Sequence, residues 1–534
     1  MHTILNFKYL IAQAFIVFLI LFISVNVSGQ QDRVFESFCE QSQAQVKNPI
    51  RLPDSGIQPI WNEKALMFKF APSFTTENKS WIIPQPSQYR FTAFSFNNHQ
   101  TYSFTDSIPN ASLSPIWSEI PNGEVYLKTE AVSKDKQDIV LINKRLFYKT
   151  ASFCPPYPAA QYGYSEAFDK GMTFMYQQPH IQQWFHSGRP DHEKHTLYCY
   201  SALEVGSVIN AMVLHHKHNP KNDTSLVIAC KAADYLISNS ESKTSPLSGF
   251  PQVYEGDRLT AGKFSGEVLL TEPAATGLSY LNLFSITGDS VYLNAALQIA
   301  ETYRKTQLTS GTWFIRLNKM TGQPASEVLC IPIKIVNFLQ ILTEEHHYQT
   351  FKPVIEAAIG WTYENPVKTF DWTGQFEDVE AVEPYENLTK YEASWFAQFL
   401  LNHHNEDTNN VQLAKALIDF CEDQFVVWEQ PAMYDNWNNS TQSWHVPAVL
   451  EQYHCYVPID ASAVQMIDTY YLAYQKTGES IYREKALTLA NSLVNTQEKS
   501  GKIPTFWASG FNEFWNNCMV SSLFMLDKLS NLEK

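Results

Sequence analysis

The sequence lacks the features that mark several large functional classes. It has no apolar run of the ~20 residues needed to span a bilayer, no CxxC pair, no excess of basic residues, and neither a glycine-rich phosphate loop nor a GxSxG elbow. Its eight cysteines in 534 residues are too few and too scattered for a disulfide scaffold, and without CxxC spacing they point to neither zinc nor redox work. A formal charge of −15 argues against wrapping nucleic acid, because phosphate binding needs a basic face. An anionic substrate stays open, since cations converging in a cleft can outweigh the sign of the total. The missing phosphate loop and nucleophile elbow argue against nucleotide chemistry and serine hydrolysis.

What is present is apolar and aromatic: 44% hydrophobic and 14% aromatic residues, enough for a large core spread over two or three domains. Residues 1–30 carry Lys8, an apolar run from Phe15 to Val25 and small residues at Val27, Ser28 and Gly29. They read as a secretory signal cleaved near Gln30, which implies a periplasmic or secreted product with no membrane insertion after cleavage. Residues 31–155 contain period-2 stretches such as Tyr89 to Phe96 and Val125 to Val132, cut by Pro, Asn and Gly turns, and are expected to form a β-sandwich. A Pro-rich joint at Cys154-Pro-Pro-Tyr-Pro158 ends that pattern. From about residue 160 to 534, apolar positions recur at helical spacing between loops rich in Trp, Tyr, His, Asn and Gly.

An internal repeat organises this second region. Thr287-Gly-Asp-Ser-Val-Tyr292 leads through Ala295–Thr302 to Thr306-Gln307, and Thr477-Gly-Glu-Ser-Ile-Tyr482 leads through Lys485–Ser492 to Thr496-Gln497, 190 residues on. Ser310-Gly-Thr-Trp313 and Ser500-Gly-Lys-Ile503 then match as well. Each unit stops one helix at a glycine and opens the next on an acidic residue and a serine, which makes a helical hairpin. Less similar hairpins are expected at Thr196–His216 with Ser225–Ser238, Thr271–Ile286 with Val291–Thr306, Glu327–Leu342 with Phe351–Trp361, Thr389–His404 with Val411–Val427, and Asp460–Lys476 with Ile481–Thr496. An early helix at Ser165–Tyr176 and a last one at Asn512–Leu529 are left to pair with each other. The expected class is therefore α+β multidomain, an N-terminal β-sandwich followed by an (α/α)6 toroid of six hairpins, since repeats of this length cannot bury their faces alone.

Long aromatic loops at 239–270, 307–326, 362–388 and 428–459 all follow second helices, so they gather on one face and make a cleft there. That face is expected to collect Trp184, Arg189, His195, Tyr254, Trp313, Arg316, Asn387, Trp444, His445, Tyr453, His454, Tyr456, Trp507, Asn512 and Trp515. Aromatic platforms interleaved with hydrogen-bonding groups suit sugar rings, which offer apolar faces and a rim of hydroxyls. His192-Glu-Lys-His195 lacks the i, i+4 spacing of a helical zinc site, and no metal or other cofactor is expected. The doublets His215-His216, His346-His347 and His403-His404 fall at ends of first helices and read as C-terminal caps. Several loop carboxylates, among them Glu255, Glu451 and Asp460, could serve glycoside hydrolysis, but none stands out as a pair. The alternative is β-elimination on a uronic acid, which needs a cation or amide on the sugar carboxylate, a base for the C5 proton and an acid for the C4 oxygen; Arg, Asn, His and Tyr supply these.

The segment Phe420-Cys-Glu-Asp-Gln-Phe-Val-Val-Trp-Glu429, with Trp444-His, Val449-Leu-Glu-Gln-Tyr453 and Tyr456-Val-Pro-Ile-Asp-Ala-Ser462, resembles secreted helical-toroid proteins from polysaccharide-utilisation systems of marine bacteria, and among these the ulvan oligosaccharide dehydratases. The likeness runs from about Tyr162 to the end. It implies a polysaccharide-lyase-like enzyme that removes water from a terminal uronic acid of an oligosaccharide and leaves a 4,5-unsaturated sugar. On that footing His195 or His445 is the expected base, Tyr453 or Tyr456 the acid, and Arg316 with Arg189 and Asn387 the holder of the carboxylate. Trp184, Tyr254, Trp313, Trp444, His454, Trp507, Asn512 and Trp515 are expected to bind the sugars. A toroid hydrolase, an endo-acting lyase and a non-catalytic glycan-binding protein remain the competing expectations.

Overall fold

The computed structural model describes residues 50–52, 88–108, 111–133, 139–369, 371–377, 388–404, 406–429, 446–452, 455–507 and 514–531. In the N-terminal part five strands form one sheet: β1 (Ile50–Leu52), β2 (Gln88–Ser95), β3 (Gln100–Asp106), β4 (Gly123–Val132) and β5 (Ile139–Lys149), in the order β1-β5-β4-β2-β3. All neighbours are antiparallel except β1 and β5. Period-2 alternation puts Phe91, Ala93, Val125 and Leu127 on one face, and these pack with Leu113, Ile116 and Ile120 from the short helix Ser114–Trp117 and its flanks. Among the described residues, the layer over that face is a helical turn and no second sheet; residues 31–49 and 53–87 of the expected sandwich lie outside them.

The rest is helical. Twelve helices of twelve residues or more lie among the described residues: α1 (Tyr164–Tyr176), α2 (Ser201–His218), α3 (Asp223–Ser238), α4 (Glu272–Thr287), α5 (Ser290–Thr306), α6 (Ile333–Glu344), α7 (Lys352–Glu364), α8 (Tyr391–His403), α9 (Thr408–Phe425), α10 (Asp460–Thr477), α11 (Ser480–Thr496) and α12 (Asn516–Ser530). None is long and apolar enough to cross a membrane. They pack in pairs, α2 on α3, α4 on α5, α6 on α7, α8 on α9 and α10 on α11, while α12 pairs with α1. The first members also pack in succession, α2 on α4, α4 on α6, α6 on α8, α8 on α10, α10 on α12 and α12 back on α2.

The repeated segments have the same local structure. Gly288 and Gly478 end α4 and α10 in the left-handed conformation that glycine adopts without Cβ strain. Thr287 and Thr477 each accept from the backbone N–H two residues on, and Tyr292 and Tyr482 are both buried in the next helix. After the second helix, the Gln307 side-chain amide donates to the Gly311 and Val354 carbonyls at 2.8 and 2.9 Å. Gln497 does the same to Gly501 and Ala167 at 2.8 and 3.0 Å. The first stitch ties α5 to α7 and the second ties α11 to α1, so one sequence device serves both an internal joint and the joint between the two ends of the helical region.

Three short β-pairings arise in the loops: β6 (Glu267–Leu269) with β7 (Arg316–Asn318), and β9 (Ala448–Gln452) between β8 (Val426–Val427) and β10 (Cys455–Pro458).

Candidate active site

The first members of the pairs all bring a polar side chain in at their N-terminal turn: Glu204 in α2, Glu272 in α4, Lys334 in α6, Glu392 in α8, Asp460 in α10 and Asn516 in α12. All but Lys334 are buried, and even its ammonium is held, 2.8 Å from Glu272 Oε1. A helix N-terminus offers free N–H groups and positive potential, which favours carboxylates there. Burial opposes that and wins at two positions. It lifts the Glu392 carboxyl to about 7 and the Asp460 carboxyl to about 8, even though Asp460 accepts from the Ala461 N–H at 2.7 Å and from the Ser522 hydroxyl at 3.0 Å. At Lys334 burial pushes the ammonium down, but the attraction of Glu272 and nearby carboxylates, Glu392 included, outweighs it and the net shift is upward. Glu204 Oε1, Glu272 Oε2 and Glu392 Oε2 are buried and have no hydrogen-bond partner among the described residues.

His195 sits where these N-terminal turns meet the loop before α2. Gly188, in the left-handed region, stops the short helix Trp184–Ser187, and Asp191 then gathers the backbone N–H groups of Glu193, Lys194 and His195 into a turn. The chain enters a 3-10 turn at Thr196–Cys199 and continues into α2. That path brings His195 Nε2 to 2.7 Å from Glu204 Oε2 and 3.3 Å from Asn516 Nδ2. The Asn516 backbone N–H donates to the same Glu204 oxygen at 3.4 Å. His180 stacks on His195 with centroids 4.3 Å apart and planes 9° from parallel, and its Nε2 lies 3.0 Å from Asn516 Oδ1. Beneath them Trp184 Nε1 donates to the Tyr198 hydroxyl at 2.8 Å, which donates to the His180 carbonyl at 3.1 Å.

One residue before Asn516, Trp515 stacks on Tyr200, centroids 5.5 Å apart, and Tyr200 meets Tyr254. Tyr254 donates from its hydroxyl to the Glu377 carbonyl at 2.7 Å and accepts from Arg316 Nη1. Arg316, 3% exposed, also donates to the Phe376 carbonyl at 3.2 Å and lies 3.9 Å over the Phe264 ring. Burial raises the Tyr254 phenol far above its usual range, with Arg316 pulling the other way, so it stays a protonated donor.

Of the residues expected at the site, His195, Arg316, Tyr254 and Trp515 form this connected surface. Trp184 and Trp313 are fully buried, with both indole N–H groups bonded inside the protein, Trp313 to the Tyr303 carbonyl at 2.9 Å. Trp507 is buried as well, its backbone N–H on the Pro458 carbonyl. These three pack the walls and offer no face to a ligand. Arg316 is likewise turned inward, onto Tyr254 and the Phe376 carbonyl. Asn387, Trp444, His445, Tyr453, His454 and Asn512 lie outside the described residues, and Tyr456 is described only as a backbone position in β10.

Arg189 is exposed at a separate cleft of about 730 Å³, which it lines with His192, Lys231, Tyr235 and Glu255. None of His195, Glu204 and Asn516 lines that cleft, so the cavity and the densest polar network are neighbours and do not coincide. The network is the better guide to chemistry, because the cleft's own carboxylate, Glu255, is already engaged by the Tyr235 hydroxyl at 2.7 Å and by His192 at 3.5 Å. The histidine doublets do local work at hairpin ends: His215 Nδ1 is 2.6 Å from the Ser225 hydroxyl and His216 Nδ1 is 3.3 Å from the Asn222 carbonyl.

No family model and no curated protein matches the chain. Among solved structures it is similar to a family 76 glycoside hydrolase from a bovine Bacteroides thetaiotaomicron strain, at 10% identity and a TM-score of 0.49, over 84% of this chain and 93% of that one. It is similar to cellobiose 2-epimerase from Spirochaeta thermophila, at 10% identity and a TM-score of 0.49, over 69% and 98%. It is also similar to an unsaturated glucuronyl hydrolase specific for heparin, at 11% identity and a TM-score of 0.46, over 70% and 98%. Likeness at this level carries no argument about activity, which has to be read from the chain's own residues.

Proposed function

We propose that this protein is an exported carbohydrate-active enzyme, an (α/α)6 toroid that acts by β-elimination on uronic-acid-bearing oligosaccharides, with dehydration of a terminal glucuronate as its reaction. The circuit of helix contacts supports the ring. One observation carries the chemistry: His195 is held by Glu204 through Nε2, while Nδ1 makes no hydrogen bond among the described residues. A carboxylate that accepts from one imidazole nitrogen orients the ring and makes the other nitrogen the stronger base.

In this reading the sugar packs on Trp515, the half-buried member of its stack with Tyr200, and His195 Nδ1 takes the C5 proton. The C5–H electrons form the C4–C5 double bond as the C4–O bond breaks, and the departing oxygen takes a proton to leave as water. Tyr453 and Tyr456 remain the tyrosine candidates for that acid; Glu392, its carboxyl lifted by burial to about 7, is a third. Arg316 acts from behind Tyr254, biasing its hydroxyl, and Arg189, exposed at the neighbouring cleft, stays the expected cation for a sugar carboxylate.

Glu392 also supports a second reading, glycoside hydrolysis, in which it is the acid and Glu272, paired with Lys334, the second carboxylate. Incubation with glucuronate-bearing oligosaccharides separates the two. Elimination gives a conjugated uronate with a new ultraviolet absorbance, which His195→Gln abolishes. Hydrolysis gives new reducing ends without absorbance, which Glu392→Gln abolishes. Retention of the oligosaccharide with neither product would sink both readings and leave a glycan-binding protein.

A further inference from the structure

The cleft of about 730 Å³ beside the His195 network takes no part in the proton transfers, yet its walls are polar and tied to each other. One wall is α3, whose Lys231, Asp234, Tyr235 and Ser238 fall at i, i+3, i+4 and i+7. That spacing puts them on a single stripe of the helix, where a packed helix carries apolar residues. The other wall is the chain from Ser187 to Pro190, which follows the short helix Trp184–Ser187. The Lys231 ammonium donates to the Phe185 carbonyl and joins the two walls. Gly188 turns the chain in the left-handed conformation over the Lys231 stem, where a Cβ would come within 3.8 Å of Lys231 Cδ.

The charges of the cleft are unevenly satisfied. Burial pushes the Glu255 carboxyl up, but hydrogen bonds from His192 and Tyr235 outweigh it, and the group stays an anion. Asp234 accepts from the Tyr292 hydroxyl at 3.5 Å. Arg189 differs, because its backbone is pinned and its head is not. Its N–H donates to Ser187 Oγ at 3.2 Å, and its carbonyl accepts from Ser187 Oγ at 3.0 Å and Gln183 Nε2 at 3.3 Å. The guanidinium makes no hydrogen bond or ion pair among the described residues. Its charge reaches Tyr235, whose phenol burial and Glu255 raise against the pull of Arg189. Lys231 has no carboxylate partner among the described residues either, and the Phe185 carbonyl takes only one of its three N–H groups.

Two cations without a carboxylate partner suit an anionic group on the ligand, while two carboxylates in the same cleft repel a bare anion. An acidic sugar meets both conditions, since it carries a carboxylate for the cations and hydroxyls that donate to the carboxylates. The site also lies next to the candidate base: the Tyr198 ring is 6.4 Å from the His192 ring, which lines the cleft, and 4.9 Å from the His195 ring. His195 and Glu204 do not line it, so a sugar held there is not the one that loses its C5 proton. We propose that this cleft binds a second acidic sugar unit of the oligosaccharide, with Arg189 and Lys231 on its carboxylate and Asp234 and Glu255 on its hydroxyls. This rests on the functional reading only for the ligand being a uronate-bearing chain, and not on which residue is the base.

The test is calorimetric titration of the full chain with a glucuronate-bearing oligosaccharide, and with the same oligosaccharide after its carboxyls are reduced to alcohols. Wild type should bind the acidic form more tightly. Arg189→Gln and Lys231→Gln each remove a charge-assisted bond, so each should weaken binding of the acidic form roughly tenfold and of the reduced form little. Ser238→Trp, at an exposed position of the same stripe, should obstruct the cleft and weaken both forms. No binding by wild type, an unchanged affinity of Arg189→Gln for the acidic form, or an equal loss of both forms in that variant overturns the proposal. Displacement of the oligosaccharide by equimolar inorganic sulfate overturns it as well, because it marks a site for any anion. In turnover the Lys231→Gln loss should fall on KM; a loss confined to kcat would put the carboxylate on the reacting unit and sink the idea. If no uronate oligosaccharide is turned over, the elimination reading fails while the titration still decides the role of the cleft.

Discussion

Asp460 is buried at the first turn of α10 with its carboxyl lifted from 3.8 to about 8. Because the folded value is raised, the folded state holds a proton that the unfolded chain gives up. Stability from this group is full below about pH 4 and is lost as pH rises through about 8. Asp460→Asn removes that titration while keeping a group that accepts from Ser522 and Ala461. The variant's melting temperature should gain on wild type as pH is raised from 5 to 9; a constant gap across that range would mean the carboxyl is not protonated in the fold. Glu204 makes a kinetic prediction. Glu204→Gln removes the anion that stabilises the His195 imidazolium, so the acidic limb of kcat/KM should move to lower pH, with kcat down roughly 10²–10⁴-fold and KM little changed. His195, Tyr254 and Trp515 were legible because they lie in loops loaded with functional residue types. Glu204, Glu272, Lys334, Glu392 and His180 were not, because a lone polar residue in the first turn of an apolar helix looks like an ordinary N-terminal charge. A signal was there: an ionisable or amide residue recurs at the first turn of every first helix, and a comparison of hairpins aligned on their starts would expose it.

Glycine separates two kinds of repeat element, the turn and the stitch. At Gly478 the backbone is left-handed but nothing lies near the missing Cβ, so Gly478→Ala should cost about 1 kcal/mol of conformational strain. At Gly501 the backbone is also left-handed, and a Cβ would press into the Lys170 carbonyl of α1; at the matching Gly311 it would press into Ala357 of α7. Backbone cannot swing aside as a side chain can, so Gly501→Ala and Gly311→Ala should each cost about 2–4 kcal/mol in denaturant unfolding, clearly more than Gly478→Ala. Equal losses at all three would show that the stitch contributes nothing beyond its backbone angle. Helix periods were readable from the sequence to within a few residues in most cases, since burial on one stripe sets them. The main miss was the start of α6, expected at Glu327 and found at Ile333: residues up to Pro332 are drawn into bridges with the preceding loop, where Phe314 pairs with Leu329 and Cys330 donates to the Trp313 carbonyl. The sequence pattern reports which face of a segment is apolar and carries no trace of a competing strand partner from a loop.

The N-terminal sheet has a core cluster of its own, but Tyr148 of β5 packs into the core of the helical region, and further groups join the two. Gln424, buried near the end of α9, accepts from the Arg51 N–H at 3.0 Å and donates to the Arg51 carbonyl at 3.0 Å, adding a rung to β1 as a neighbouring strand would. Arg51 also donates from its guanidinium to the Thr150 hydroxyl at 2.8 Å, and Phe153 and Tyr157 from the Pro-rich joint pack on Trp428 just beyond α9. Period-2 alternation revealed the strands β2 and β4, but a side chain 373 positions away that completes a strand leaves no local signature, so the docking could not be read in advance. Gln424→Leu keeps the volume and strips both hydrogen bonds from a buried backbone unit, at about 1–3 kcal/mol for each group left unpaired. That loss falls on the joint alone, since β2 to β5 keep their ladder and α9 keeps its helix partners. The expected outcome is a protein whose helical dichroism persists to nearly the wild-type temperature while a protease cleaves around residues 88–149 at lower temperature. Loss of both signals together would mean that the sheet and the helices fold as one cooperative unit, with Gln424 as one of its core contacts.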